Sequence, residues 1–95
     1  MINVSVQKDK IEVIGHAGYA PPGQDIVCAG VSTLTQGLIA SIEGLTGDRP
    51  GYTIAPGIFK IETEDLSEKA RFRVDTFFLG ICGITDAYPD YVRIV

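Results

Sequence analysis

The chain is poor in the side chains that carry out acid–base, redox or metal chemistry. Its 95 residues include one histidine, two cysteines and no tryptophan. A structural zinc site usually takes four ligands from cysteine and histidine, and this chain has too few of them. The sequence therefore predicts no metal and no other cofactor. The candidate catalysts are reduced to His16, Cys28, Cys82 and the carboxylates.

Positive charge is also scarce. The formal net charge is -4 and the isoelectric point is about 4.7. A general nucleic-acid-binding domain is usually basic, so this balance argues against direct binding to nucleic acid. A modest negative field attracts cations, which is compatible with a basic peptide as partner.

Long hydrophobic runs are absent as well. The longest apolar run without glycine is Ile26–Ala29, far below the roughly 18 residues of a membrane-spanning helix. The segment Met1–Lys10 alternates and carries charges, unlike a secretory signal. These features predict a cytoplasmic protein without a membrane span. A reducing cytoplasm disfavours a disulfide between Cys28 and Cys82.

The strands are predicted from apolar residues that alternate with polar ones at a period of two. The first predicted hairpin pairs Ile2–Gln7 with Ile11–Gly15 around the turn Lys8-Asp9. The second pairs Tyr52–Ala55 with Ile58–Thr63 around Pro56-Gly57, and Tyr91–Val95 is a short closing strand.

Two helices are predicted from apolar residues at spacings of three and four. Asp25 is a good N-cap for the first helix, whose apolar stripe is Val27, Val31, Leu34, Leu38, Ile42 and Leu45. Gly30 and Gly37 inside it are interpreted as close-packing points. Asp65 and Glu68 form a candidate capping box for the second helix, Leu66–Ala87. Its apolar stripe is Val74, Phe77, Phe78, Ile81, Cys82 and Thr85.

The predicted element order is β-β-α-β-β-α-β. Together with a length of 95 residues, it fits a single α+β domain over residues 1–95. We expect a two-layer sandwich, with one mostly antiparallel sheet and two helices on one face. A domain of this size buries only about 60% of its unfolded surface. A homodimer would cover the apolar excess on the two helices.

The position of Cys28 at the start of the first helix gives it a candidate catalytic role. If Asp25 is the N-cap, Cys28 lies in the first turn, where the helix dipole and free amides favour a thiolate. A thiolate is the form that attacks a carbonyl. The amides of the same turn could receive the oxyanion of a tetrahedral intermediate.

His16 is the only imidazole of the chain and follows the second predicted strand. The loop His16–Gln24 is rich in glycine and proline, so it can turn back and bring His16 against the start of the helix. A Cys28–His16 pair in contact would form a thiolate–imidazolium dyad. The histidine could then protonate the departing amine and activate water.

Each candidate also has a non-catalytic interpretation. A lone cysteine near a helix start is usually a small buried apolar residue, and a lone histidine at a strand end is usually a surface or capping group. Ser32 either bonds near the site or bonds back to a helix carbonyl. Asp25 either orients His16 or only caps the helix. Cys82 lies on the apolar stripe and is predicted in the core, and the acidic residues from Glu62 to Glu68 are predicted to be solvated surface.

Three segments together resemble the ribosomal-processing cysteine protease family Prp, also described as YsxB-like. They are Gly15-His16-Ala17-Gly18-Tyr19-Ala20, Gly23-Gln24-Asp25-Ile26-Val27-Cys28-Ala29 and Val31-Ser32. The family carries G-H-A, followed by D-I-V-C-A and then V-S. Gly30 stands where the family commonly has alanine.

The resemblance implies a cysteine endopeptidase with His16 as the base and Cys28 as the nucleophile. It implies supporting or substrate-binding roles for Gly15, Ala17, Gly23, Asp25, Ala29 and Ser32. Family members remove the N-terminal extension of the large-subunit ribosomal protein numbered twenty-seven, which supports ribosome maturation. The implied substrate is apolar and aromatic around the cut, with basic residues nearby. The family is typically homodimeric.

Two other functions are compatible with the residues alone. A non-catalytic ribosome-assembly module would bind the same peptide without cleaving it, and its affinity would survive Cys28→Ala. A redox protein would need a partner thiol near Cys28, which the predicted position of Cys82 does not supply.

Overall fold

The computed structural model describes residues 1–95 as two β-hairpins, each followed by a helix, and a closing strand. The elements are β1 (Ile2–Val6), β2 (Lys10–Ile14), α1 (Ile26–Leu45), β3 (Tyr52–Ala55), β4 (Ile58–Glu62), α2 (Glu68–Ala87) and β5 (Val92–Ile94). Both predicted hairpins, both helices and the predicted order are present. The segment between Gly15 and Asp25 is a loop, as predicted.

The five strands form one mixed sheet in the order β3-β4-β2-β1-β5. Three neighbouring pairs are antiparallel, and β5 lies parallel to β1. Ile14 at the end of β2 is paired with Ile58 at the start of β4. This register brings the chain just beyond β2 next to the turn Pro56-Gly57 between β3 and β4.

The core lies between one face of this sheet and the two helices. Alternate strand residues that point to that face are buried: Ile2, Val4, Ile11, Val13, Phe59, Ile61 and Val92. On the opposite face Glu12 lies between Lys10 and Lys60, at 3.4 Å from each ammonium group. One buried face and one polar face confirm the predicted α+β sandwich.

Helix α1 begins after Asp25, as predicted. Its buried residues are Val27, Val31, Thr35, Leu38, Ile39 and Ile42. Ile26 and Leu45, at its two ends, are 58% and 60% exposed. The predicted apolar stripe is therefore correct from Val27 to Ile42 and too long only at its C-terminal end, where Leu45 is exposed.

Helix α1 is also long and apolar enough to cross a membrane, by length and composition only. The prediction of a chain without a membrane span did not consider this helix. It counted only uninterrupted apolar residues, whereas α1 mixes them with glycine, serine and threonine. In this fold α1 is a core helix, because its buried face packs on the sheet and on α2.

The N-cap of α2 is Ser67, two residues after the predicted Asp65. The helix is capped by Ser67, whose hydroxyl accepts a hydrogen bond from the N–H of Ala70 at 3.3 Å, and not by Asp65. The N–H of Ser67 itself donates to the carboxylate of Asp48 at 2.7 Å. This contact comes from a distant part of the sequence and fixes which of two good capping residues is used.

The buried stripe of α2 is narrower than predicted. Ala70, Phe77 and Ile81 are buried, with Val74 and Ile84 packed against them. Phe78 and Thr85 are half-buried beside this stripe. Cys82 is also half-buried and lies outside the core cluster, so its predicted place in the core is wrong.

Glycines bring the two helices close together. A Cβ at Gly30 would lie 3.3 Å from Ile84 Cδ1, and one at Gly80 would lie 2.8 Å from Leu34 Cδ2. Gly30 is therefore a close-packing point, as predicted. Gly37 is not, because open space surrounds it. Gly80 on α2, for which no sequence signal predicted such a contact, makes the tightest approach between the two helices.

Candidate active site

Two clefts meet at the end of the sheet where β2 stops. One, here called the apolar cleft, has a volume of about 440 Å³ and lies between α1 and the β3–β4 hairpin. The other, here called the loop cleft, has a volume of about 700 Å³ and lies between α1 and the loop that follows β2. His16, Cys28 and Ser32 line both clefts. The folded chain therefore brings together the predicted histidine, the predicted cysteine and Ser32.

The loop after β2 turns back onto the start of α1, as the sequence predicts. The N–H of Ala17 donates to Cys28 Sγ at 3.3 Å. Ala17 is buried, and Cys28 is a half-buried free thiol packed against the core. This contact joins the segment that carries His16 to the cysteine at the helix start.

The His16 side chain lies against the turn between β3 and β4. A Cβ added to Gly57 would be 2.7 Å from His16 Nε2, so only glycine leaves room for the imidazole there. Gly57 also has a positive φ of 71°, and its carbonyl accepts the N–H of Gly15 at 2.8 Å. The Pro56-Gly57 signal predicted the turn, but no sequence signal indicated its contact with His16.

The Asp25 carboxylate is the most heavily bonded side chain of the site. Oδ1 accepts from the N–H groups of Val27 and Cys28 at 3.0 and 2.9 Å. Oδ2 accepts from Tyr19 and Ala20 in the loop, at 3.0 and 3.4 Å. Above all the Cys28 N–H, and then the other three, hold the pKa of Asp25 below its ordinary value, while partial burial opposes them. All its bonds go to main-chain N–H groups, so Asp25 caps α1 and ties the loop to it.

These bonds correct the predicted source of oxyanion stabilisation. The sequence suggested that free amides in the first turn of α1 could receive an oxyanion. The N–H groups of Val27 and Cys28 already donate hydrogen bonds to the Asp25 carboxylate. A strong N-cap consumes the donors that a helix start otherwise offers.

The loop is held at its first half by aromatic contacts. The Tyr19 ring lies edge-on to Tyr88 and Tyr91, with ring centroids 5.5 and 5.1 Å apart. The segment from Pro21 to Gln24 is exposed, and Gly23 within it has a positive φ of 84°. The first half of the loop is therefore anchored twice at Tyr19, by the contacts of its ring with Tyr88 and Tyr91 and by the hydrogen bond of its N–H to Asp25.

The other residues of the family motif lie around the same clefts. Ala29 and Gly23 line the loop cleft, and Gly15 lines the apolar cleft with a positive φ of 109°. Ser32 is exposed, and its hydroxyl makes no hydrogen bond within the chain. The bond back to a helix carbonyl, which the non-catalytic interpretation of Ser32 expected, is therefore not present.

A third cleft, of about 600 Å³, lies at the opposite end of the sheet. It is lined by charged residues that include Asp9, Asp48, Glu62 and Glu64, and it contains no cysteine, histidine or serine. Glu62, Glu64, Asp65 and Glu68 are exposed, which confirms the prediction of a solvated acidic surface. No three His, Cys, Asp or Glu side chains are grouped so as to hold a metal ion.

Replacing Asp25 with asparagine is expected to destabilise the protein at neutral pH. One amide oxygen can still accept from the helix, but the NH₂ group would face the N–H donors of Tyr19 and Ala20. Because the folded pKa is lowered, the carboxylate's stabilisation is complete above its ordinary value of 3.8 and is lost as the pH falls through the folded pKa.

Thermal melts of the native chain and Asp25→Asn at a series of pH values test this. The difference in Tm should shrink as the pH falls below 3.8. Asp75→Asn is the matched control, because Asp75 is exposed and its side chain makes no hydrogen bond within the chain. A difference that is the same at every pH would contradict the role given to the Asp25 charge.

The chain matches a known protein family whose description agrees with a site built around a cysteine. Residues 1–93 match the family model described as Cysteine protease Prp. The chain belongs to this family. The match to the Prp family covers almost the whole chain, including both helices and all the residues around His16 and Cys28.

Individual relatives have the same description. The chain is 34% identical to the ribosomal processing cysteine protease Prp of Staphylococcus aureus over 83 residues, which cover 84% of this chain and 78% of that protein. It is 30% identical to the protein of the same name from Bacillus subtilis over 90 residues, covering 87% of this chain and 80% of the relative.

A crystal structure of the Prp protease from S. aureus, in complex with a covalently linked product peptide, has the same fold. It matches with a TM-score of 0.87 at 27% identity and covers 98% of this chain and 94% of that chain. The Prp relatives are ribosomal processing cysteine proteases. The protein is therefore a cysteine peptidase of the family involved in ribosomal processing.

Proposed function

We propose that this protein removes the N-terminal extension of the large-subunit ribosomal protein numbered twenty-seven, with Cys28 as nucleophile and His16 as general acid and base. The observation that carries the proposal is the meeting of His16 and Cys28 at the junction of two clefts, with the amide next to His16 bonded to Cys28 Sγ at 3.3 Å. A covalent product on a structural relative supports the chemical class.

The proposed reaction has two steps. The Cys28 thiolate attacks the scissile carbonyl carbon, so that a C–S bond forms and the π electron pair moves onto oxygen. The carbonyl then re-forms, the C–N bond breaks, and protonated His16 gives its proton to the departing amine. In the second step His16 takes a proton from water, the resulting hydroxide attacks the thioester, and the Cys28 thiolate leaves.

The two clefts suit an extended peptide that crosses the site. The apolar cleft offers Val31, Ile54 and Phe59 to apolar and aromatic side chains. Neither cleft contains a lysine or arginine, so basic residues of the substrate meet no repulsion. The substrate with aromatic residues at the cut and basic residues nearby therefore fits both clefts.

Supporting roles follow from the positions of the remaining motif residues. Gly15 lets the chain turn from β2 into His16, and Asp25 ties the loop to α1. Ala29 and Gly23 form part of the wall of the loop cleft. The free hydroxyl of Ser32 faces both clefts, where it can bond the substrate backbone.

The test is cleavage of the ribosomal protein that carries its native N-terminal extension, followed by mass. The native chain should shorten it, and Cys28→Ala should leave it intact. Cys82→Ala is the matched control and should cleave normally, because Cys82 lies on α2 and lines neither cleft.

The main alternative is a peptide-binding ribosome-assembly module. It predicts that the ribosomal protein binds to the native chain, is not cleaved, and binds equally well to Cys28→Ala. That result would overturn the proposed peptidase activity on this substrate.

We further propose that residues 1–95 are one Prp-like domain that acts as a homodimer in the cytoplasm. Phe72 and Leu79 on α2 are both 70% exposed and lie two helical turns apart. They are the apolar surface that a second copy would cover. Sedimentation at micromolar concentration should give a dimer, and Phe72→Glu should shift it to monomer. A monomeric native chain would contradict this part of the proposal.

A further inference from the structure

We propose that the backbone N–H of Ala17 is the donor that stabilises the oxyanion of the tetrahedral intermediate. The inference rests on the proposed peptidase function and adds a catalytic group to it. Three observations carry it: the direction of this N–H, the hydrogen bonds that hold its peptide unit, and the occupation of the amides of Val27, Cys28 and Ala29.

The Ala17 N–H already points at the reacting atom. It lies 3.3 Å from Cys28 Sγ in the free protein. After attack, the sulfur and the oxyanion are bonded to the same carbon, so the oxyanion forms beside Sγ. A donor that reaches the sulfur can therefore reach that oxygen, with little movement of the backbone.

The peptide unit between His16 and Ala17 is fixed from both ends. Its carbonyl, on His16, accepts a hydrogen bond from the main-chain nitrogen of Met1 at 2.6 Å. Its N–H points the opposite way, to Cys28. The Ala17 methyl group is buried in the core, 5% exposed. An N–H held this firmly does not need to reorganise during the reaction, which is the condition for strong electrostatic stabilisation.

Three amides of the first turn of α1 are already engaged. In many thiol and serine peptidases the N–H of the nucleophile itself serves, but here the Cys28 N–H donates to Asp25 Oδ1 at 2.9 Å. The N–H of Val27 does the same at 3.0 Å, and that of Ala29 donates to the Asp25 carbonyl within the helix. Among the amides around Cys28, that of Ala17 is the one directed at the sulfur.

The test removes this single N–H without changing any side chain. Ligation of a synthetic segment 1–27 to segment 28–95 at Cys28 restores the native sequence and allows Ala17 to be replaced by L-lactic acid, which turns the amide into an ester. The matched control is the same replacement at Ala20, whose N–H points at Asp25 and not at Sγ. Circular dichroism checks that each chain is folded.

The substrate is a peptide that spans the extension and the first residues of the mature ribosomal protein. The Ala17 ester should lower kcat by about 100-fold or more, the usual effect of losing one oxyanion donor. A peptide aldehyde that forms a hemithioacetal with Cys28 should bind weaker by a similar factor. Alkylation by iodoacetamide, which forms no oxyanion, should slow far less. The Ala20 ester should retain most of the activity.

Other outcomes overturn the inference in distinguishable ways. Unchanged kcat in the Ala17 ester, or cleavage and alkylation slowed by the same factor, would show that this N–H acts on the thiolate alone or not at all. Absence of cleavage by the ligated native chain would contradict the proposed function itself.

A second measurement uses the unmodified protein and does not depend on the ester folding. With nitrogen-15-labelled alanine, the Ala17 amide proton should shift downfield and exchange more slowly when the aldehyde adduct forms. An Ala17 signal that does not change on adduct formation would contradict the proposed hydrogen bond.

Discussion

Replacing His16 with alanine is expected to lower peptide cleavage by about 10²–10⁴-fold, the usual contribution of a general acid–base side chain. The expected loss lies in kcat, because the imidazole has to protonate the departing amine and deprotonate water. The fold should be preserved, since the His16 side chain is exposed and lies outside the core cluster. The measurement is kcat and KM together with Tm.

Two further observations separate loss of the imidazole from loss of structure. Added free imidazole should restore part of the activity of His16→Ala, because the vacated space lies beside Gly57. Gly57→Ala keeps the imidazole but displaces it, since the new Cβ would lie 2.7 Å from Nε2, and it should also lower kcat. Full activity in His16→Ala would rule out the proposed base.

The second large effect is expected for Gly15→Ala, in both stability and activity. Gly15 has a φ of 109°, where a side chain strains the backbone, and a Cβ there would overlap the carbonyl oxygen of Met1. We expect a loss of at least about 2 kcal/mol in the free energy of unfolding, the range for strain of this kind. For a domain of this size that lowers Tm by roughly 8–16 °C.

The activity of Gly15→Ala should fall further than its stability alone explains. Relief of the overlap must move Met1 or the segment that leads into His16, and both hold the peptide unit that points at Cys28. Gly37→Ala is the matched control, because Gly37 lies inside α1 with open space around it. It should stabilise the protein by about 1 kcal/mol and leave activity unchanged. Equal Tm for Gly15→Ala and the native chain would contradict the described geometry.

Local chemistry made much of the fold predictable. Alternating apolar residues and the turns Lys8-Asp9 and Pro56-Gly57 indicated both hairpins, and Asp25 indicated the start of α1. These signals are contained in a few neighbouring residues, and in this fold no tertiary contact overrides them. The meeting of the His16 segment with Cys28 was also predictable, because a loop rich in glycine and proline leads from a strand end back to the capped helix.

The features that the sequence did not reveal depend on residues far apart in the chain. Asp48 selects Ser67 over Asp65 as the cap of α2, and Gly57 makes the space for His16. The engagement of the Cys28 amide by Asp25 was hidden for another reason. The same residue pattern is expected whether the cap occupies the first amides of the helix or leaves them free to bind an anion. Only the hydrogen bonds in the structure distinguish the two cases.

The central claim is that Cys28 forms a thioester with the substrate during cleavage. The most direct measurement uses an activated ester of the N-terminal fragment, for which hydrolysis of the thioester is the slow step. After an acid quench, the mass of the protein should increase by that of the acyl group. Digestion should locate the acyl group on Cys28. An adduct on Cys82, or turnover of this ester with no adduct at Cys28, would contradict the account.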